Sequence, residues 1–259
     1  MTDLHMIRLS IDLPELSRWA ADRNLGWTAP RGGDFDEGRA LHHLLTETFG
    51  QARLQPFRLI ATPQARRGHL YAYCRATAAE LTDEAQAIAL PEHLKVCLLG
   101  DLAEKPMPAE WRVGRRMGFE TRVRPVRRLL RPLAGPDGHT FEKGDEVDAF
   151  LVDTLRHTPG STPEGDAQTA TTPEREAVYG TWLGERLAGA ADLSPGIRLT
   201  RFSRHRAVRK GGTPEGPDAV LQGDLTITGP EAFQRLLEKG VGRHRAYGFG
   251  MMMLRPAGR

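Results

Sequence analysis

Apolar residues recur along the N-terminal part of the chain with two different periods, and the alternation between them predicts a succession of strands and helices. Leu4 to Ile11 (LHMIRLSI) puts His5, Ile7, Leu9 and Ile11 on one face by the two-residue period of a strand. A loop bearing glycine and proline follows (TAPRGGDFD). Asp36 then stands where a helix cap belongs, since its carboxylate accepts backbone N–H groups that a first turn leaves unpaired. The helix EGRALHHLLTETFG carries Leu41, Leu44, Leu45 and Phe49 at the helical period and stops at Gly50. Two strands, PFRLIATP and GHLYAYCRA, come next around a basic turn, QARRG. A helix over Ala78 to Ala89 and a strand HLKVCLLG complete the set. Strand, helix, two strands, helix, strand is the ferredoxin-like order, which predicts a first domain over residues 1–100.

The segment DLAEKPMPAEW, with two prolines, reads as a linker. The same order of elements then returns over residues 109–259. GFETRVRPV is a strand, and REAVYGTWLGERLAGAA is a helix with Val178, Trp182, Leu183 and Leu187 on its inner face. A basic hairpin spans IRLTRFSRHRAVRKGGTPEGPDAVLQGDLTIT, Pro230 opens the helix PEAFQRLLEKG, and a last strand ends the chain. The expected fold is therefore α+β, with two tandem ferredoxin-like domains. Residues 133–173 fall outside this order and read as an insertion: a short helix in EVDAFLVDTLRHT, then a polar, proline-bearing stretch, GSTPEGDAQTATTP, expected to be mobile.

Composition changes this picture little, but charge distribution changes it a good deal. The 259 residues suffice for two domains of ordinary size, and 39% hydrophobic and 27% charged content fit a soluble protein with two cores. The formal net charge is only +3, yet Arg112 to Arg131 (RVGRRMGFETRVRPVRRLLR) holds eight arginines against the single acid Glu120. Arg204 to Lys210 (RHRAVRK) is a second cluster. Local basic stripes of this kind suit a polyanion. The two cysteines, Cys74 and Cys97, lack metal-ligand or disulfide spacing, no metal or cofactor is expected, and neither a signal peptide nor a bilayer-spanning run is present. A cytoplasmic location without membrane contact is the expectation.

The stretch GVGRHRAYGFG, between the last helix and the last strand, is rich in glycine and arginine. Glycines there permit positive φ and close backbone approach, and exposed N–H groups beside Arg243 and Arg245 suit phosphate. It is neither a Walker loop nor a dinucleotide fingerprint, because GxxxxGK[ST] is absent and no further strand and helix follow.

With Gly240, Gly242, Gly248 and Gly250 set as GxGxxxxxGxG, the tail GDLTITGPEAFQRLLEKGVGRHRAYGFGMMML resembles the C-terminal signature of the RAMP superfamily of CRISPR-associated RNA-binding proteins. The segments ALHHLL, GFETRVRPVRR and EAVYGTWLGERLA narrow the resemblance to the CasE endoribonuclease family of type I-E CRISPR systems. That resemblance implies two ferredoxin-like domains that bind the stem-loop of a CRISPR repeat transcript and cut at the base of the stem without metal. The ribose 2′-hydroxyl attacks, leaving a cyclic phosphate and a 5′-hydroxyl, and the enzyme stays on its product beside the other Cascade subunits. A non-catalytic RNA-binding RAMP subunit is the alternative, and an unrelated anion-binding ferredoxin-like protein a more distant one.

Such a reaction needs groups that take and give protons near neutrality, for which histidine is suited. On the helical wheel His42 lies about 85° from the centre of the apolar face and His43 about 175° from it. His42 is thus placed at the edge of the buried face and His43 in solvent, with His43 and Glu47 forming a surface pair. The resemblance also puts the catalytic histidine at His42. Relatives can carry a tyrosine three residues earlier, where this chain has Arg39, which can hold phosphate but cannot act as a base. The acid is then another group, water or His42 itself. For RNA binding the candidates are Arg122, Arg124, Arg127 and Arg128, the hairpin residues Arg204, Arg206, Arg209 and Lys210, and the loop residues Gly240, Gly242, Arg243, Arg245, Gly248 and Gly250. Backbone contact by arginines suits an A-form stem, whose major-groove base edges are hidden.

Overall fold

The computed structural model describes residues 4–25, 35–135, 138–157, 174–206 and 215–258. In the first half the elements run β1 (His5–Asp12), α1 (Leu13–Asp22), α2 (Glu37–Phe49), β2 (Phe57–Ile60), β3 (Arg67–Cys74), α3 (Ala78–Ile88), α4 (Pro91–Val96) and β4 (Cys97–Pro106). The four strands form an antiparallel sheet in the order β2-β3-β1-β4, the ferredoxin-like arrangement. Ile7, Leu9 and Ile11 of β1 are fully buried, together with Leu41, Leu44, Leu45 and Phe49 of α2. Each such side chain contributes roughly 1.5–3 kcal/mol by leaving water.

Two helices escape the periodic reading. In α1 the Asp12 side chain accepts from the Glu15 N–H at 3.0 Å, Pro14 sits in the first turn, and Leu16, Trp19 and Ala20 face the core. In α4, where the sequence predicts a strand, Pro91 opens a helical turn and the Leu90 N–H donates to His93 Nδ1 at 3.2 Å. The strand therefore starts only at Cys97. It continues to Pro106, paired with His5 of β1, so the first half of the expected linker is strand.

The second half runs β5 (Arg116–Val123), β6 (Val126–Arg128), β7 (Leu133–Ala134), β8 (Thr140–Phe141), β9 (Glu146–Asp148), α5 (Ala149–His157), α6 (Arg175–Leu187), β10 (Ala191–Leu193), β11 (Arg198–Arg206), β12 (Glu215–Ile227), α7 (Pro230–Lys239) and β13 (Met252–Arg255). Its main sheet has the order β10-β12-β5-β13, with β11 continuing the edge along β12. This repeats the arrangement of the first sheet, and the fold is α+β, as expected. Val178, Trp182, Leu183 and Leu187 of α6 are buried, joined by Tyr179. The strand expected over 118–126 breaks at Pro125, which has no N–H for a ladder, and Val126 turns off to pair with Asp148. Within the expected insertion, β7, β8, β9 and α5 fold around Leu129, Val147 and Val152. The stretch 160–173 lies outside the described residues.

The two sheets meet through specific groups. The buried Tyr73 hydroxyl donates to the Met252 carbonyl at 3.0 Å, Arg75 grips Glu238 through two hydrogen bonds of 2.7 and 2.8 Å, and Arg58 of β2 pairs with Glu120 of β5.

Candidate active site

Helix α2 begins as expected: the Asp36 carboxylate is buried and accepts from the Arg39 N–H at 3.0 Å. Two residues on, Gly38 is where the glycine-rich loop lands. A Cβ at Gly38 would lie 2.5 Å from the Tyr247 carbonyl oxygen, so only glycine admits the loop at that distance. The loop itself closes through two backbone bonds, Val241 N–H to the Gly250 carbonyl at 2.8 Å and Gly250 N–H to the Arg122 carbonyl at 2.7 Å. Gly250 has φ 81°, and a Cβ there would stand 2.3 Å from the Val241 oxygen. Gly240, Gly242 and Gly248 also have positive φ, and they lie against Pro56, Trp182 and Phe57 respectively. The bare backbone thus serves a tight approach of protein to protein.

That approach brings Tyr247, in a short 3-10 turn (Arg245–Tyr247), onto the predicted histidine. The Tyr247 and His42 ring centroids are 5.0 Å apart, tilted by 57°, and His42 and His43 lie edge-to-face at 5.4 Å. His42 is half-buried with its Nδ1 covered, as expected for a residue at the edge of the apolar face. His43 departs from expectation: it is half-buried rather than in solvent, packed edge-on to His42. Burial lowers its pKa, and the nearby Arg39 charge lowers it further against the opposing pull of Glu47. His43 is held toward the neutral form, able to accept a proton. The Glu47 carboxylate faces the buried His93 at 3.1 Å instead of serving only a surface pair with His43. Arg39 is half-buried, and its side chain makes no ion pair among the described residues.

The candidate binding residues separate into two groups. Arg122 and Arg124 are turned inward, not along an exposed strand face. Arg122 makes two hydrogen bonds to Asp218 at 2.9 and 2.6 Å and lies 4.6 Å over the Phe249 ring. Arg124 is 4% exposed, its guanidinium against the backbone of Gly216. Nearer the surface, Arg127 is bound to Glu185 at 3.0 and 2.8 Å, Arg204 pairs with Glu215 at 2.8 Å, Arg243 pairs with Glu146 at 2.5 Å, and Arg245 donates to the Lys239 carbonyl at 2.6 Å. Arg128 is exposed. Arg209 and Lys210 lie outside the described residues, as does the side chain of Arg206.

Sequence reasoning missed Tyr247, Gly38 and the inward Arg122–Asp218 pair. Their shared signal is contact between segments about one to two hundred positions apart, which no local period encodes. Among the described residues no group of three or more His, Cys, Asp or Glu is placed to hold a metal ion, and no helix is long and apolar enough to cross a membrane.

Comparison with known proteins agrees with this architecture. The profile of the family described as "CRISPR associated protein" matches residues 4–256. No curated protein matches the chain in sequence. Among solved structures, Cse3 of Thermus thermophilus bound to an RNA representing a pre-cleavage complex superposes with a TM-score of 0.58. It is 19% identical, over 98% of this chain and 100% of that one. Cas6e of Escherichia coli K-12 gives a TM-score of 0.55 at 17% identity, over 97% and 99% of the two chains. At these identities the likeness speaks for the fold, whereas the profile spans nearly the whole sequence: the chain belongs to the CRISPR-associated protein family.

Proposed function

We propose that this chain is a metal-independent endoribonuclease that binds the stem-loop of a CRISPR repeat transcript, cuts it at the base of the stem, and remains bound as a subunit of Cascade. The observation that carries this reading is the seating of the glycine-rich loop on α2, which packs Tyr247 against His42 within a fold shared with RNA-bound Cse3. In the proposed reaction the 2′ oxygen attacks phosphorus, the bond from phosphorus to the 5′ oxygen breaks, and a 2′,3′-cyclic phosphate and a 5′-hydroxyl result. His42 takes the 2′ proton, and the departing 5′ oxygen gains one from water, from another group or from His42 itself. Arg39, without an acidic partner among the described residues, offers two N–H groups to the phosphate and stabilises the charge developing there.

Positioned acid–base groups and a fixed phosphate contact account for such a reaction without a metal. The test is cleavage of the cognate repeat RNA in EDTA, beside the same RNA carrying a 2′-deoxy residue upstream of the cut. Cutting of the normal RNA and survival of the deoxy one is the expected result. Loss of cutting in EDTA, or cutting of the deoxy substrate, sinks the mechanism. Binding without any cutting favours the non-catalytic RAMP subunit.

A further inference from the structure

Between the first turn of α2 and strand β11 lies a cleft of about 510 Å³, walled by Glu37, Arg58, Arg201, Ser203, His205 and Tyr247. Its lining holds a buried donor that no described residue uses. Arg58 is only 9% exposed and pairs with Glu120 through one terminal nitrogen, while its other terminal nitrogen, Nη1, is buried with no hydrogen-bond partner among the described residues. His205 Nδ1, which donates or accepts according to the ring's tautomer, is also buried with no hydrogen-bond partner among the described residues. A guanidinium N–H can only donate, so a buried, unused one calls for an acceptor brought by a ligand.

The charges of the lining are mixed, with Asp36, Glu37 and Asp218 beside Arg58, Arg122 and Arg201, and the least neutralised cation among them is Arg201. Arg58 and Arg122 are matched by Glu120 and Asp218, whereas Arg201 reaches Asp218 only at 3.8 Å and its side chain is 57% exposed. Burial raises the Glu37 pKa against the pull of Arg122 and Arg201, which reduces the negative charge Glu37 adds. Arg201, Ser203 and His205 alternate along β11, so their side chains share one face of the strand. The volume lies within the range of about 300–1,000 Å³ typical of small-ligand sites and exceeds what a lone phosphate fills.

Position decides which ligand. Tyr247 lines the cleft and also packs against His42, and Glu37 precedes His42 on the same helix by about 7.5 Å of rise. A group seated here shares the Tyr247 ring with the candidate reaction centre.

We propose that this cleft receives one unpaired nucleotide flanking the scissile phosphate, with its phosphate on Arg58, Arg201 and Ser203 and its base against Tyr247. The proposal rests on the endoribonuclease reading and specifies a subsite for it. Single unstacked nucleotides are commonly held in this way, by guanidinium contact and an aromatic face.

The test is a binding experiment with the full chain and a repeat stem-loop that retains its single-stranded flanks. Each linkage near the cut is replaced in turn by an uncharged methylphosphonate, and wild type is compared with Arg201→Gln and Ser203→Ala, both at the rim of the cleft. One linkage beside the cut is expected to weaken wild-type binding about tenfold when neutralised, with little further loss in Arg201→Gln. An abasic residue at that position is expected to weaken wild type while leaving Tyr247→Leu nearly unchanged. Losses that simply add at every linkage, with the stem-loop still bound and cut, overturn the cleft assignment alone. A free mononucleotide that binds as tightly as the stem-loop and displaces it makes the cleft a general anion site and also overturns it. Failure of wild type to bind any stem-loop overturns the endoribonuclease reading, and this subsite with it.

Discussion

At the scale of single residues, His42 is flanked by two rings, His43 edge-to-face and Tyr247 tilted. His42→Ala is expected to lower the single-turnover cleavage rate on the order of 10²–10⁴-fold while RNA affinity is retained; normal cutting would place the catalyst elsewhere. Tyr247→Phe keeps the packing face and is expected to retain cutting, whereas Tyr247→Leu removes the ring and is expected to slow it. Glu37 yields a pH dependence of stability whose sign can be worked out. Burial raises its folded pKa, so it binds its proton more tightly folded than unfolded. The resulting stability is fully present below the ordinary glutamate range and is lost as pH rises through the raised folded value. Glu37→Gln should remove that decline, read as a difference in urea midpoint between variant and wild type that grows between acid and neutral pH.

Among elements, the decisive contact is between α2 and the loop that follows α7. Gly38→Ala places a methyl group 2.5 Å from the Tyr247 carbonyl and forces one of the two to move. The expected cost is about 1–3 kcal/mol in denaturant unfolding, with slower cleavage because Tyr247 withdraws from His42. An unchanged unfolding midpoint would show that the loop yields freely. The helix was readable from sequence, since the Asp36 cap, the positions of Leu41, Leu44, Leu45 and Phe49, and the stop at Gly50 are all local. The half-burial of His43 was not, because it depends on which neighbours arrive from elsewhere. Helix α4 escaped for a related reason: Pro91 and a capping His93 outweigh a run of residues that reads equally well as strand.

At the scale of the whole molecule, two sheets of the same topology are held together by Tyr73 to Met252, Arg58 to Glu120 and Arg75 to Glu238. Arg75 and Glu238 are both partly exposed, so water weakens their attraction, and a double-mutant cycle is expected to return at most about 1 kcal/mol. A larger coupling would make the pair a principal support of the junction.

Apart from α1 and α4, the order of strands and helices in the two ferredoxin-like repeats, the inner faces of α2 and α6, and the family-like tail were settled by the sequence itself, because periodicity, caps and glycine positions act within a few residues. Where those pieces meet was decided by tertiary packing. The glycines of the loop looked suited to an incoming phosphate, and in the folded chain they let the loop close on itself and rest on α2. Arg122 and Arg124 read as candidates for RNA contact along a basic strand, and the pairing of β5 with β12 puts them beside Asp218 and Gly216, inside. The physical reason is the same in each case. A local pattern specifies which face of an element is apolar, but the partner of a polar or glycine residue is chosen only when distant segments are brought into contact.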